Sequence, residues 1–220
     1  MAASANAGVR HYLALSVVGT PRLVESDYFR AKMVQENLIR AARRPYTILH
    51  STQFFEFIGG VIDMGADGDG FRLPSASVKP IAADNVAEML AELAMGTARN
   101  NTVEISGHER FGLDEIARIH LAANEDMRQV ITDNSARYYG VELNDDTLLP
   151  LKGAPGTVSV SSSSTTRRWI DVLLQNEIAA ADSVEAVRGQ AFHQHWKENT
   201  AMNSQVPIPM RWIYAAYTTG

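Results

Sequence analysis

Ser26-Asp27-Tyr28-Phe29-Arg30-Ala31-Lys32-Met33-Val34-Gln35-Glu36-Asn37-Leu38-Ile39 is the stretch on which the reading of the fold turns. Ser26 is a suitable N-cap, and the spacing predicts a helix from about Ser26 to Ala42. Tyr28 and Lys32 are four apart, which places both side chains on one helix face, a turn apart. Ala31, Val34, Leu38 and Ala42 form the expected packing stripe, with Tyr28, Lys32 and Gln35 on an adjoining face. Arg43-Arg44-Pro45 ends the helix. The basic run Arg40 to Arg44 lies where cations offset the helix dipole.

Upstream, His11 to Val18 (HYLALSVV) is short and almost wholly apolar, with one hydroxyl at Ser16. It reads as a strand of a parallel sheet, buried on both faces. Downstream, Tyr46 to Leu49 is a second short buried strand. Strand, helix and strand within this span make a βαβ unit and point to an α/β fold. Ser51 to Ile58 leaves the carboxyl end of the second strand, the edge at which open parallel sheets bind ligands.

Farther along, Gly59 to Gly70 reads as a turn, since Gly65-x-x-Gly68-x-Gly70 neither follows a strand nor opens a helix. A short strand is expected at Val78 to Ala82. A helix capped by Asp84 is expected from Asn85 to Met95, with Val86, Met89, Leu90 and Leu93 in the core, and Gly96 ending it. Thr102 to Ser106 reads as a strand, Leu113 to Ala123 as a helix, Gln129 to Thr132 as a last strand, and Arg137 to Gly140 as a loop or helix end. Beyond Pro150 the composition changes. Gly153 to Thr166 is rich in Gly, Ser and Thr and reads as a linker. Trp169 to Ala181 and Val184 to Lys197 have helical spacing.

Composition narrows the function. The chain has 220 residues, 45% hydrophobic and 20% charged, enough for one domain with a core or a domain plus an appendage. A net charge of -5 without a basic face speaks against a nucleic-acid partner. The absence of cysteine excludes disulfides and thiolate metal sites and is compatible with a reducing, cytoplasmic location. No apolar run approaches the roughly 18 residues of a spanning helix, so no membrane partner is expected. His193 and His195 lack a third ligand at suitable spacing, so no metal site is read. His50 reads first as a packed histidine and second as a cleft-lining group, and Asp145-Asp146 as a solvated turn.

The strand HYLALSVVG, the element Tyr28 to Lys32 with Gln35-Glu36, the strand Pro45 to Leu49 running into Thr52-Gln53-Phe54-Phe55-Glu56-Phe57, and the junction Pro80 to Ala87 together carry a resemblance. From about Gly8 to Pro150 the sequence resembles the NmrA-like, atypical branch of the short-chain dehydrogenase/reductase superfamily. The resemblance implies a C-terminal portion of a Rossmann-like parallel sheet with flanking helices, followed by a helical or irregular tail. Its divisions are residues 1–150 as a partial NAD(P)-binding domain, 151–166 as a Ser/Gly-rich linker and 167–220 as the tail. It implies Ser16, Tyr28 and Lys32 as the catalytic group, with Lys32 favouring the Tyr28 phenolate. It implies Tyr28, Lys32, Ser51, Thr52, Gln53 and Phe54 at the cofactor, NAD(P), with NADP(H) taken first.

The reaction so implied is oxidoreduction of a small carbonyl or hydroxyl substrate. A non-catalytic dinucleotide-binding regulator and an inactive truncated member are the alternatives. The family's Gly-x-x-Gly-x-x-Gly turn after a first strand has no counterpart here. The expected sheet is therefore a half-sheet, with an edge for a second copy or another partner to cover.

Overall fold

The computed structural model describes residues 9–151 and 156–160. Strand β1 (Tyr12–Val17) is followed by a 3₁₀ turn (Thr20–Arg22) and helix α1 (Asp27–Ala41), with Ser26 at its N-cap position. Strand β2 (Tyr46–Ser51) then returns parallel to β1. The expected βαβ unit is present. β2 runs two residues longer than its apolar core, because His50 and Ser51 continue the pairing through Ser16 and Val17.

Beyond β2 lie a 3₁₀ turn (Phe55–Phe57), helix α2 (Ile58–Asp63) and strands β3 (Ala66–Asp67), β4 (Gly70–Leu73) and β5 (Ser77–Val78). Helix α3 (Ala83–Met95) precedes β6 (Asn101–Gly107). After β7 (Phe111–Gly112) come α4 (Leu113–Ala123), β8 (Val130–Thr132), β9 (Arg137–Tyr138), β10 (Val141–Glu142) and β11 (Val158–Val160).

The main sheet is parallel throughout, in the order β1-β2-β6-β11. Alternation along β2 decides which helix covers which face. Ile48 packs with Ala14 and Ile39 under α1, whereas Leu49 packs with Val86, Leu93 and Ile105 under α3. A larger core, containing Phe29, Phe55, Ile58, Phe71, Leu113, Ile116 and Leu148, takes in Val17 at the end of β1. The fold is α/β, a Rossmann-like parallel sheet with flanking helices. Among the described residues no helix is long and apolar enough to cross a membrane.

Several expectations need correction. Val34 and Leu38 are 54% and 56% exposed, while Phe29, Lys32, Glu36 and Ile39 are the buried positions of α1. The apolar stripe faces outward because the sheet beneath the helix presents polar groups that Glu36 satisfies. β1 was expected to be buried on both faces, yet Tyr12, Leu13, Leu15 and Val17 are only half-buried. Among the described residues β1 has one strand neighbour.

The glycine-rich stretch is only partly turn. Gly59 and Gly60 lie inside α2, and β3 and β4 form a hairpin through Gly68 and Asp69. The strand expected at Val78 to Ala82 is reduced to Ser77–Val78 plus a bridge between Phe54 and Ile81, because Lys79 and Pro80 divide it. Asp84 sits in the first turn of α3, whose N-cap is Ala82. Arg137 to Gly140 begins an antiparallel hairpin. Asp145 and Asp146 are exposed, as expected of a solvated turn, and Asp145 accepts from Ser77 and Arg110. Val158–Val160, inside the expected linker, pairs with Ile105–Gly107 as the fourth strand. The expected helices at 169–181 and 184–197, with His193 and His195, lie outside the described residues.

Candidate active site

Lys32 is 4% exposed, an unusual place for an ammonium. It donates to the Leu15 carbonyl at 2.9 Å and to Gln35 Oε1 at 2.8 Å. Tyr12 and Val18 donate their backbone N–H groups toward the β2 side. By strand alternation, the Leu15 carbonyl faces the opposite edge of β1. Lys32 thus caps a carbonyl that β2 does not use. Burial lowers the Lys32 pKa to about 8, against the opposing pull of Glu36. Among the described residues, two of its three N–H groups are committed in this geometry.

Tyr28, one turn earlier, is half-buried. Its ring stacks on Tyr139 at 5.0 Å and 22°, and meets Phe29 edge-on at 5.0 Å and 81°. Burial first, and Tyr139 second, push the phenol pKa above its ordinary value. This is opposite in direction to the expected effect of Lys32, for a physical reason. The Lys32 ammonium is turned toward Leu15 and Gln35, and loss of water around the phenol dominates. Tyr28 is therefore held as a neutral phenol.

Ser16 has a different setting. Its Oγ donates to Glu36 Oε1 at 2.5 Å. Glu36, 1% exposed, also contacts His50 Nε2 at 2.9 Å and accepts from Arg40 Nη2 at 2.8 Å. Ser16, His50 and Glu104 stand in register across β1, β2 and β6. His50 Nδ1 lies 3.7 Å from Glu104 Oε1, and Glu104 Oε2 accepts from the Leu151 backbone at 3.0 Å.

The polar row across the sheet and the glutamate above it thus satisfy one another. Burial alone would raise the Glu36 pKa; the contacts from His50, Ser16 and Arg40 outweigh it and bring the value to about 2. Burial would lower His50, but Glu104 and Glu36 outweigh that and raise it. His50 is a packed histidine.

At the carboxyl end of β2, Ser51 Oγ donates to the Thr52 carbonyl and Thr52 Oγ1 to the Lys79 carbonyl, at 2.8 and 2.6 Å. The Phe54 ring stacks on Phe57 at 5.5 Å. Gln53 is 7% exposed. Its Nε2 donates to Tyr138 Oη at 3.4 Å, and its Oε1 has no hydrogen-bond partner among the described residues. A buried acceptor left in this state is costly unless a donor arrives from elsewhere.

Gln53, Tyr138, Tyr139 and Tyr28 form a continuous chain of contacts from the end of β2 to the start of α1. The structure thus joins Tyr28 to Gln53 and places Ser16 under Glu36. Sequence reading missed Glu104, Tyr138 and Tyr139, and gave Glu36 no role. Polar residues in register inside apolar strands were the available signal for the first network. Nothing local in the sequence pointed to the tyrosines.

No protein-family model matches the sequence, and no curated protein matches it. Solved structures do. A dTDP-4-dehydrorhamnose reductase of Clostridium acetobutylicum is 14% identical with a TM-score of 0.50, over 78% of this chain and 69% of that one. A dTDP-4-dehydrorhamnose reductase of Bacillus anthracis, solved in complex with NADP, is 13% identical with a TM-score of 0.47, over 80% and 67%. A nucleoside-diphosphate-sugar epimerase of Staphylococcus aureus is 12% identical with a TM-score of 0.46, over 60% and 48%. The chain spans about half the length of the epimerase and about two thirds of each reductase. At these identities the likeness is one of fold.

Proposed function

We propose that this chain carries the proton-transfer half of an NAD(P)-dependent oxidoreductase of the atypical short-chain type, acting on a small carbonyl or hydroxyl substrate. The observation that carries the reading is Gln53 Oε1, a buried acceptor without a partner among the described residues, linked through Tyr138 and Tyr139 to Tyr28. The residues present fit a nicotinamide nucleotide. Gln53 Oε1 lacks the kind of donor that a carboxamide N–H supplies, and the remaining N–H of Lys32 suits a ribose hydroxyl. Ser51, Thr52 and Phe54 complete the wall on the β2 side, the Ser51 and Thr52 hydroxyls being bonded to backbone carbonyls.

The bound nucleotide would supply or accept hydride. Tyr28, kept protonated by burial, gives its phenolic proton to the substrate oxygen as the carbonyl carbon gains hydride, and regains a proton from solvent. A phenol pushed upward is a weaker acid, so transfer of its proton costs more than from a free tyrosine and needs the closed, water-poor site to offset it. Lys32, one turn on, directs its ammonium to Leu15 and Gln35 and so bears on the nucleotide ribose rather than on the reacting oxygens. Ser16 is not placed on the substrate oxygen, since its one hydroxyl hydrogen lies on the Glu36 carboxylate.

Tyr28→Phe tests the reading, with NADPH and a panel of small carbonyls. Loss of about 100-fold or more in kcat with unchanged nucleotide affinity is expected. Unchanged turnover would remove Tyr28 from the chemistry. One observation favours a non-catalytic, dinucleotide-binding reading instead: Ser16 and Tyr28 are both engaged by internal partners. Under that reading, wild type and Tyr28→Phe bind nucleotide alike and neither turns over.

A further inference from the structure

Tyr139 lies at the tip of the β9–β10 hairpin with φ 49°, followed by Gly140 at φ 85°. Two central residues at positive φ make a two-residue turn of the kind that suits Asn-Gly. A tyrosine in the first of these positions runs against that preference. Its ring nonetheless makes three aromatic contacts: stacked on Tyr28, edge-on to Phe29 at 5.8 Å and 87°, and edge-on to Tyr138 at 4.8 Å and 81°.

The base of the hairpin is held. Tyr138 is buried, packs at 6.2 Å from Phe29 and accepts from Gln53, and Arg137 Nη1 donates to the Gly140 carbonyl at 3.2 Å. A strained tip thus delivers one ring onto the face of the proposed proton donor.

We infer that Tyr139 is a positioning residue: through its ring it fixes the orientation of Tyr28 and excludes water from the phenol face. The inference rests on the proposed role of Tyr28 and names the element that enforces it. The titratable groups around that phenol are Lys32 on α1, and Tyr138 and Tyr139 on the hairpin. Burial first, and the Tyr139 hydroxyl second, raise the Tyr28 phenol above its ordinary range.

Tyr139→Asn separates ring from backbone, because Asn-Gly suits this turn and removes only the aromatic face. Tyr139→Phe keeps the ring. The full chain is titrated without nucleotide or substrate, following tyrosinate absorbance, and the Tyr28 component is taken by difference from the matching Tyr28→Phe proteins. Tyr139→Asn is expected to bring the Tyr28 titration down by about one pH unit or more. Tyr139→Phe keeps the ring and loses only the charge of the hydroxyl, so its fall is expected to be clearly smaller than that of Tyr139→Asn.

Tyr139→Gly, unstrained at this φ, provides the same reading should the asparagine variant not fold. An unmoved Tyr28 titration in a folded ring-deleted variant overturns the inference, as does an equal fall in Tyr139→Phe. Turnover plays no part in this titration, so it stays distinguishable from the Tyr28→Phe assay. If that assay shows turnover, Tyr139→Asn should lower kcat more than it raises KM.

Discussion

Glu36 is the residue with the most at stake. It is buried, ionised and bonded to three partners, so its removal would leave His50 and Arg40 without their shared carboxylate. Breaking such a buried network by removing one member costs about 3–5 kcal/mol. Glu36→Ala should therefore lower the urea midpoint sharply.

The same cluster sets a pH dependence. The folded Glu36 pKa of about 2 lies below that of an unfolded glutamate, so its stabilisation is present above roughly pH 4.3 and is lost as pH falls through 2. The folded His50 pKa is raised. Its stabilisation is complete below roughly pH 6.5 and is lost as pH rises through the folded value. His50→Gln should flatten the alkaline fall attributable to this histidine. Subtracting the wild-type and His50→Gln urea curves across pH checks it, since contributions common to both, including Lys32, cancel. A difference that does not vary with pH would exclude His50 as a charged partner.

At the scale of elements, α1 shows how far periodicity leads. Its existence, cap position and approximate ends are legible from Ser26 and Arg43-Arg44-Pro45, and its parallel strands from their apolar cores. Its rotation is not. Hydrophobic spacing selects Val34 and Leu38, whereas packing selects Phe29, Lys32, Glu36 and Ile39. The deciding information is long-range: Ser16, His50 and Glu104 form a polar row only after β1, β2 and β6 align.

The two rotations make opposite predictions. Leu38→Lys and Val34→Glu should change unfolding free energy by less than about 0.5 kcal/mol, as exposed substitutions do. Phe29→Ala should cost about 3–5 kcal/mol. Urea unfolding of these variants checks the rotation, and a large loss at Leu38 would contradict it. The β9–β10 hairpin was illegible for another reason: the favoured Asn-Gly signal is replaced by Tyr139-Gly140.

At the scale of the whole molecule, the four parallel strands, with α1 and α3 on opposite faces, bring Tyr28, Lys32 and Gln53 to the carboxyl ends of β1 and β2. The general class of fold was legible because two βα segments with short apolar strands admit few arrangements. The candidate site was legible only in part. Tyr28 and Lys32 announce themselves by spacing, and Gln53 entered through the family resemblance. The network behind Ser16 and the ring over Tyr28 arise only when distant segments meet.

We propose that this end of the sheet receives a nicotinamide nucleotide against Gln53. Titration of the full chain with NADPH, followed by the nucleotide's fluorescence, tests it most directly. Saturable binding is expected, weakened about tenfold, or 1.4 kcal/mol, in Gln53→Leu, which removes the unpaired acceptor. No saturation at millimolar nucleotide, or saturation indifferent to Gln53→Leu in a folded protein, would contradict it.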